Sequence, residues 1–169
     1  MQAARKARRP HMPGYGTLPE SEGGGLLPWD WAAERLSSSR NFWLSSNGPT
    51  GRPHVMPVWA IWHDGSLWLS SSRRSRKARN LVTDPRCTIT TEDAANPVVV
   101  EARAELVTDV GQLDVMLRLT NEKYGTDYGP ELLDPTVNSP FRLWPVWVFG
   151  LRSEDFTGSP TVWEIAENA

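Results

Sequence analysis

The chain lacks the residue patterns that several large classes of protein require. Its 169 residues contain a single cysteine, which excludes an internal disulfide. The three histidines, His11, His54 and His63, are scattered without the spacing of metal ligands, so no metal site is expected. No apolar run approaches the ~20 residues that a membrane-spanning helix needs, so no membrane partner is expected. Glycine-rich phosphate loops of the Gly-x-Gly-x-x-Gly and Walker types are also absent.

Motifs for nucleophilic or acid–base catalysis are missing too. Cys87 lies in the alternating run CTIT, which predicts a buried and unreactive thiol. Neither His54 nor His63 has a serine elbow or a cysteine motif to act with. Paired carboxylates such as Glu131 with Asp134 fall in predicted loops, where they are solvated. The sequence therefore assigns no catalytic residue.

The chain is instead rich in tryptophan and uneven in charge. Nine tryptophans favour an aromatic core, a stacking pocket or a subunit interface. The net charge is −2, yet nine of the 18 Lys and Arg residues fall in two clusters. A local basic cluster on an acidic body favours a small anionic ligand, and no nucleic-acid partner is expected. The N-terminal patch consists of Arg5, Lys6, Arg8 and Arg9, and the helix patch of Arg73, Arg74, Arg76, Lys77 and Arg79.

The chain is expected to divide into a leader and one domain. Residues 1–25 are rich in proline and glycine and are predicted to be a disordered basic leader, with its charges solvated. Residues 26–169 are predicted to form a single domain. The leader has no apolar segment of a secretory signal, and a lone cysteine is typical of a reducing compartment. A cytoplasmic protein is therefore expected.

Hydrophobic patterning predicts a mainly β fold with short helices. Turn signals separate six to seven mostly antiparallel strands, a count that is typical of a small barrel. Helices are predicted at 29–38, at about 75–83 and from an Asp109 cap to Gly125. Pro57, inside a predicted strand at 54–62, indicates an edge strand, a bulge or a break in pairing. The other strands are predicted at 41–46, 67–72, 86–91 and 98–107, from Phe141 onward, and at 161–165.

Residues 70–77 are a candidate anion site. Three serines end a predicted strand, and a helix begins within a cluster of Arg and Lys. The start of a helix offers free N–H groups, hydroxyls donate hydrogen bonds, and Arg and Lys suit phosphate oxygens. The alternative is a solvated, charged helix face without a ligand.

Taken in order, several of these motifs resemble a known superfamily. They are Arg52-Pro53-His54-Val55, Pro57-Val58-Trp59, the Asp64-Gly65 turn, LWLSS, Ser75-Arg76-Lys77-Ala78-Arg79-Asn80-Leu81 and Asp84-Pro85-Arg86. The pattern is similar to the split β-barrel flavin and deazaflavin oxidoreductases, which include pyridoxamine phosphate oxidase. It looks most like the actinobacterial branch that uses the deazaflavin coenzyme F-420. The resemblance covers about residues 29–165.

The resemblance implies an antiparallel split β-barrel that forms a homodimer with a cofactor at each interface site. It implies hydride transfer between reduced F-420 and a small organic acceptor. The alternatives are an FMN-dependent enzyme of the same fold, or a non-catalytic module that binds flavin or haem. No substrate signature for vitamin B6 oxidation is evident near the C-terminus. The implied cofactor-binding residues are His54, Val55, Met56, Pro57 and Val58 along the ring, Ser71, Ser72, Ser75, Arg76 and Lys77 at the phosphate, Thr91 closing the pocket, and Trp147 or Trp144 from the partner.

Overall fold

The computed structural model describes residues 5–165 as an antiparallel β structure with three α-helices. The expected mainly β fold is confirmed. The helices are α1 (Trp29–Ser38), α2 (Arg76–Thr83) and α3 (Val110–Tyr124), and short 3-10 turns lie at Pro130–Leu133 and Ser153–Asp155. The strands are β1 (Arg5–Arg8), β2 (Phe42–Asn47), β3 (Pro53–Val58), β4 (Ile61–His63), β5 (Ser66–Ser72), β6 (Arg86–Thr91), β7 (Val98–Leu106), β8 (Asn138–Gly150) and β9 (Thr161–Ile165).

The strands form one sheet that curls but does not close. Hydrogen bonds link them in the order β1-β9-β8-β7-β6-β2-β3, while β5 pairs with β8 and carries β4. Every pair is antiparallel. The path leaves β1 and β3 as its two ends, so the described strands form a split barrel. Within residues 5–165, no helix is long and apolar enough to cross a membrane.

The predicted count of six to seven strands becomes nine for two reasons. First, the predicted strand at 54–62 breaks into β3 and β4 at Trp59 and Ala60. Second, β1 forms within the segment that was expected to be a disordered leader and pairs along the whole of its length with β9.

Residues 5–25 therefore differ from that expectation, because long-range hydrogen bonds hold them. The Leu18 backbone N–H donates to the Thr157 carbonyl at 2.9 Å. The Gly24 backbone N–H donates to the Asp155 carboxylate at 3.1 Å. Residues 1–4 of the leader and 166–169 of the domain lie outside the described part of the chain.

Local sequence signals account well for the ends of the elements. The Asp64-Gly65 turn joins β4 to β5, and both residues have positive φ, 48° and 70°. The Asp109 carboxylate accepts a hydrogen bond from the Gln112 backbone N–H at 2.9 Å and begins α3. The helix ends at Gly125, which adopts the left-handed conformation with φ 66°.

The pleat of the sheet separates a buried inner face from an outer face. Leu44, Ile89, Val100, Val148 and Trp163 lie side by side across five strands, and all are buried. Their burial supplies the largest share of the core, since apolar surface stabilises by roughly 25 cal/mol per Å² removed from water. The outer face carries the alternate residues, among them Trp43, Thr90, Val99 and Phe149.

The apolar patterns of β7 and α3 predict that Leu106 and Val110 face the core, yet both residues are exposed. Leu106 ends β7, and Val110 is the first residue of α3. The apolar pattern of each element continues to its terminal residue, but the hydrophobic core does not extend beneath that residue. Val110 lies on the rim of a surface groove between α3 and the Pro130–Leu133 turn.

Candidate functional site

The third strand is an exposed edge of the sheet, which explains its proline. Within the described residues β3 pairs with β2 alone. Pro57 lacks an N–H, and a strand with a free side tolerates this loss. The prediction that Pro57 indicates an edge or a break is confirmed, because the strand ends one residue later.

Register with β2 shows which side of β3 each residue occupies. Met56 is opposite Leu44 on the inner face, yet Met56 is 40% exposed whereas Leu44 is fully buried. The inner side of β3 is therefore open at Met56. His54, Met56 and Val58 follow the inner face, and Val55 and Pro57 follow the outer face.

The start of α2 lies near the beginning of β3 and presents hydroxyls and free N–H groups. The Ser75 hydroxyl caps the helix by accepting a hydrogen bond from the Ala78 backbone N–H at 3.1 Å. The same hydroxyl lies 2.9 Å from that of Ser71. The Ser72 hydroxyl accepts from the Arg74 backbone N–H at 3.3 Å. No acidic residue occupies the first turn of α2 to satisfy its positive end.

The helix patch is a cluster of cations without carboxylate partners in the described part of the chain. Within residues 5–165, no carboxylate forms an ion pair with any of its five cations. Arg73 donates to the backbone carbonyls of Pro135 and Thr136. The Arg76 guanidinium lies beside Gly48, in the turn that joins β2 to β3. The positive charge of α2 therefore faces the beginning of β3.

His54 connects the strand to this charge. Its Nδ1 atom is buried and has no hydrogen-bond partner among the described residues. Burial, then the positive charges of Arg76 and Lys77, lower the pKa of His54 below its ordinary value of 6.5. The imidazole is therefore predominantly neutral at pH 7. A buried ring nitrogen without a partner beside unpaired cations suits a ligand that supplies acceptor oxygens.

Sequence reasoning missed the polar contact that joins α2 to the sheet here. The Asn80 side-chain amide donates to the Ser46 hydroxyl at 3.1 Å, and both residues are buried. Ser46 is directly opposite His54. Asn80 lies one helical turn after Arg76 and therefore shares its face of α2. This spacing is the only feature of the sequence that indicates a role for Asn80 near the helix patch.

Two of the predicted binding residues lie apart from this cluster. Thr91 is buried, and its hydroxyl accepts a hydrogen bond from the Val98 backbone N–H at 3.0 Å. Trp147 lies on the outer face, opposite Glu101 and Glu164. The alternative, Trp144, donates its indole N–H to Glu105 at 2.6 Å. Both tryptophans lie on β8, which β7, β6 and β2 separate from β3 in the sheet.

A second set of residues that the sequence did not reveal lies at the other end of β3. The Ala60 backbone N–H donates to the Tyr124 hydroxyl at 2.9 Å. The Lys123 ammonium donates to the Ala60 carbonyl at 2.8 Å. Burial lowers the pKa of Lys123 to about 8. The last turn of α3 thus holds the break between β3 and β4.

The single cysteine has the environment that its sequence context predicted. Cys87 is buried on β6. Burial, with a smaller contribution from the Asp84 carboxylate, raises the pKa of its thiol to about 12. At neutral pH the thiol stays protonated and is a poor nucleophile.

Comparisons with known proteins agree with this architecture. The family described as pyridoxamine 5'-phosphate oxidase matches residues 29–149, more than half of the chain. No curated protein matches.

Among solved structures, a conserved hypothetical protein from Mycobacterium tuberculosis is 27% identical, with a TM-score of 0.66, over 76% of this chain and 87% of that one. An F-420 reductase is 18% identical, with a TM-score of 0.57, over 68% and 93%. A haem-binding protein from Mycobacterium smegmatis is 19% identical, with a TM-score of 0.56, over 79% and 62%. The last two likenesses concern the fold alone. The chain belongs to the pyridoxamine 5'-phosphate oxidase family and has its split-barrel fold.

Proposed function

We propose that this protein is an oxidoreductase that transfers hydride between reduced F-420 and a small organic acceptor. The observation that carries the proposal is the unneutralised helix patch beside His54, at one end of an exposed strand. The family includes oxidoreductases and binds flavin-type cofactors. The likeness of the motifs at 52–86 to the deazaflavin branch favours F-420 among those cofactors.

The described residues fit a phosphorylated, ring-bearing cofactor. Within residues 5–165, Arg76 and Lys77 form no ion pair with a carboxylate, and the buried Nδ1 of His54 has no hydrogen-bond partner. In this proposal the phosphate lies at the start of α2, against Ser71, Ser72, Ser75, Arg76 and Lys77. The backbone of His54, Val55, Met56, Pro57 and Val58 lies along the ring.

The bound cofactor would supply the hydride chemistry. The chain's part is to hold the phosphate, to orient the ring along β3 and to keep water away from it. This division of labour requires no nucleophile or acid–base pair from the described residues around β3. Cys87 is buried and protonated, and the described residues contain no cluster of three or more metal-ligating side chains.

We also propose a homodimer that forms through the outer face of the sheet. Trp43 is 47% exposed there and Val55 is exposed beside it, which is unusual for apolar side chains without a partner. The fold commonly forms dimers. In the dimer, Trp147 approaches the partner's cofactor, while Thr91 shapes the pocket from its buried position on β6.

Titration of the purified protein with F-420, FMN and FAD, followed by calorimetry, tests the cofactor assignment. We expect micromolar binding of F-420 and weaker binding of FMN and FAD. Selective binding of FMN would replace the deazaflavin version with an FMN-dependent enzyme of the same fold. Binding of none of the three would refute the proposed function.

The haem-binding neighbour gives a reason to test a non-catalytic role as well. Its likeness extends to the fold, and haem is a flat, anionic ligand that an exposed apolar strand and a basic patch also suit. Haem titration by visible absorbance and turnover with reduced F-420 separate the two roles. Tight haem binding without F-420 turnover would favour the binding module.

A further inference from the structure

We infer that Trp59, stacked on Tyr124, is the binding platform for a planar, anionic acceptor. The role as an acceptor site rests on the proposed function, whereas the binding of such a molecule does not. The geometry, the backbone contacts and the charge of this region each support the inference. The term Trp59 platform is used below for Trp59 together with Tyr124.

The two rings form a nearly parallel stack with one side open. Their centroids lie 4.2 Å apart, and the ring planes differ by 5°. Tyr124 is buried, whereas Trp59 is 44% exposed. Tyr124 covers one face of the indole, so the exposed area belongs to its opposite face and its edges. An indole presented in this way can stack on a flat, conjugated molecule.

Backbone contacts hold the Trp59 platform in place before any ligand arrives. Ala60, the next residue, is buried, and α3 satisfies both of its backbone polar groups through the Tyr124 hydroxyl and the Lys123 ammonium. The Tyr124 hydroxyl also donates to the Arg40 carbonyl at 2.8 Å. A side chain that is already ordered loses less conformational entropy on binding.

The surroundings of the Trp59 platform are positively charged. The Lys123 ammonium and the Arg40 guanidinium each lie 5.6 Å from the centre of the Tyr124 ring. Neither forms an ion pair within the described residues. The nearby carboxylate, Glu92, accepts hydrogen bonds from the Arg40 and Asn41 backbone N–H groups and from the Asn41 amide. The region therefore has two cations and one carboxylate, and the carboxylate oxygens already accept hydrogen bonds. This excess of positive charge favours an anionic substituent on the ligand.

The position of the Trp59 platform suits an acceptor that receives hydride from a cofactor whose ring lies along β3. His54 lies beside the helix patch, and Trp59 follows five residues later. At about 3.3 Å per residue this separation is roughly 17 Å. A ring held along β3 lies between the two ends, over the exposed Met56. The phosphate end therefore lies at the start of β3, and the acceptor end directly follows its last residue, Val58.

Calorimetric titration of the purified full chain with 2-naphthoate, and with its uncharged analogue 2-naphthamide, tests the inference. We expect 2-naphthoate to bind more tightly than 2-naphthamide. Trp59→Ala should weaken 2-naphthoate binding at least tenfold, and Trp59→Phe should restore it to within threefold of the native chain. Lys123→Met keeps the apolar stem and should remove most of the preference for the carboxylate.

The matched control is Phe156→Ala, because Phe156 is exposed to a similar extent but lies in the loop between β8 and β9, outside the proposed cofactor, acceptor and dimer surfaces. It should leave 2-naphthoate binding unchanged. The inference is overturned if the native chain does not bind 2-naphthoate, if it prefers 2-naphthamide, or if Phe156→Ala and Trp59→Ala weaken binding equally. Circular dichroism of each variant separates loss of binding from loss of folding.

Failure of this inference and failure of the proposed function give different results. Binding of F-420 without Trp59-dependent binding of 2-naphthoate removes the Trp59 platform and leaves the oxidoreductase standing. Trp59-dependent binding of 2-naphthoate without any binding of F-420 leaves a ligand site and removes its role as an acceptor site.

Discussion

The two basic patches have nearly the same composition, but within the described residues they differ in their ion pairs. In the N-terminal patch, Arg8 pairs with Glu164 at 2.7 Å. Arg9 donates to the carbonyls of Gly158 and Pro160 at 2.9 and 2.7 Å. In the helix patch, no cation pairs with a carboxylate of the described chain. Charge that the protein neutralises itself holds the fold together, whereas charge left without a partner is available to a ligand.

The sequence alone does not predict this difference between the two patches. The N-terminal patch was expected to be solvated, yet it joins the leader to the last strand and to the loop before it. From its sequence, the helix patch is compatible both with a solvated helix face and with an anion site. The buried, unpartnered Nδ1 of His54 beside it favours the anion site.

The largest effect is expected from removing two charges of the helix patch. Arg76→Ala with Lys77→Ala should lower F-420 affinity at least about 100-fold, since each charge-assisted contact contributes roughly 1.5–3 kcal/mol. Folding should change little, because neither side chain has a hydrogen-bond or ion-pair partner in the described chain. The matched control, Arg8→Ala with Arg9→Ala, removes the same charge and should leave the affinity unchanged. Equal losses in the two variants would contradict the division of roles.

The next largest effect concerns stability, and here a change in the N-terminal patch should matter more than a change in the helix patch. Arg9→Ala removes hydrogen bonds to three backbone carbonyls and should lower the free energy of unfolding by about 2 kcal/mol. Arg74→Ala, at an exposed side chain of the helix patch, should change it by less than about 0.5 kcal/mol. Urea denaturation measures both variants. A larger loss in Arg74→Ala would show that the patches have been assigned the wrong way round.

Salt should weaken cofactor binding through the helix patch. The Debye length falls from about 10 Å at 0.1 M to about 3 Å at 1 M salt, so F-420 affinity should fall about fivefold over that range. The Arg76→Ala, Lys77→Ala variant should lose most of this dependence. Calorimetry at several salt concentrations gives both slopes, and parallel slopes would place the phosphate elsewhere.

The smallest effect is a shift in the titration of His54. Positive charge disfavours the imidazolium, so removing Arg76 and Lys77 should raise the pKa of His54. The pKa should remain below 6.5, because burial contributes the most to the lowering. NMR titration of the imidazole signals measures the change, with Arg8→Ala as the control. An unchanged His54 pKa would mean that the helix patch does not face β3.

Much of the fold was predictable because its signals are local. The caps at Asp109 and Ser75, the left-handed Gly125 and the Asp64-Gly65 turn lie within a few residues of what they determine. The alternating apolar residues Val98, Val100 and Ala102 likewise indicate the buried face of β7.

The missed features all depend on contacts between distant parts of the chain. Tyr124 binds Ala60 across 64 residues, and Arg8 binds Glu164 across 156 residues. No local pattern encodes either pair. The lack of counter-charge around Arg76 is likewise visible only after the fold has brought the rest of the surface into place.

The burial of Cys87 has a practical consequence for measuring the proposed homodimer. Its raised pKa and its buried position make the native thiol unreactive toward maleimide and methanethiosulfonate reagents near neutral pH. A cysteine introduced at the exposed Val110 would then be the one reactive thiol. Spin labels attached there would report the distance between subunits by pulsed electron paramagnetic resonance, without prior removal of the natural cysteine.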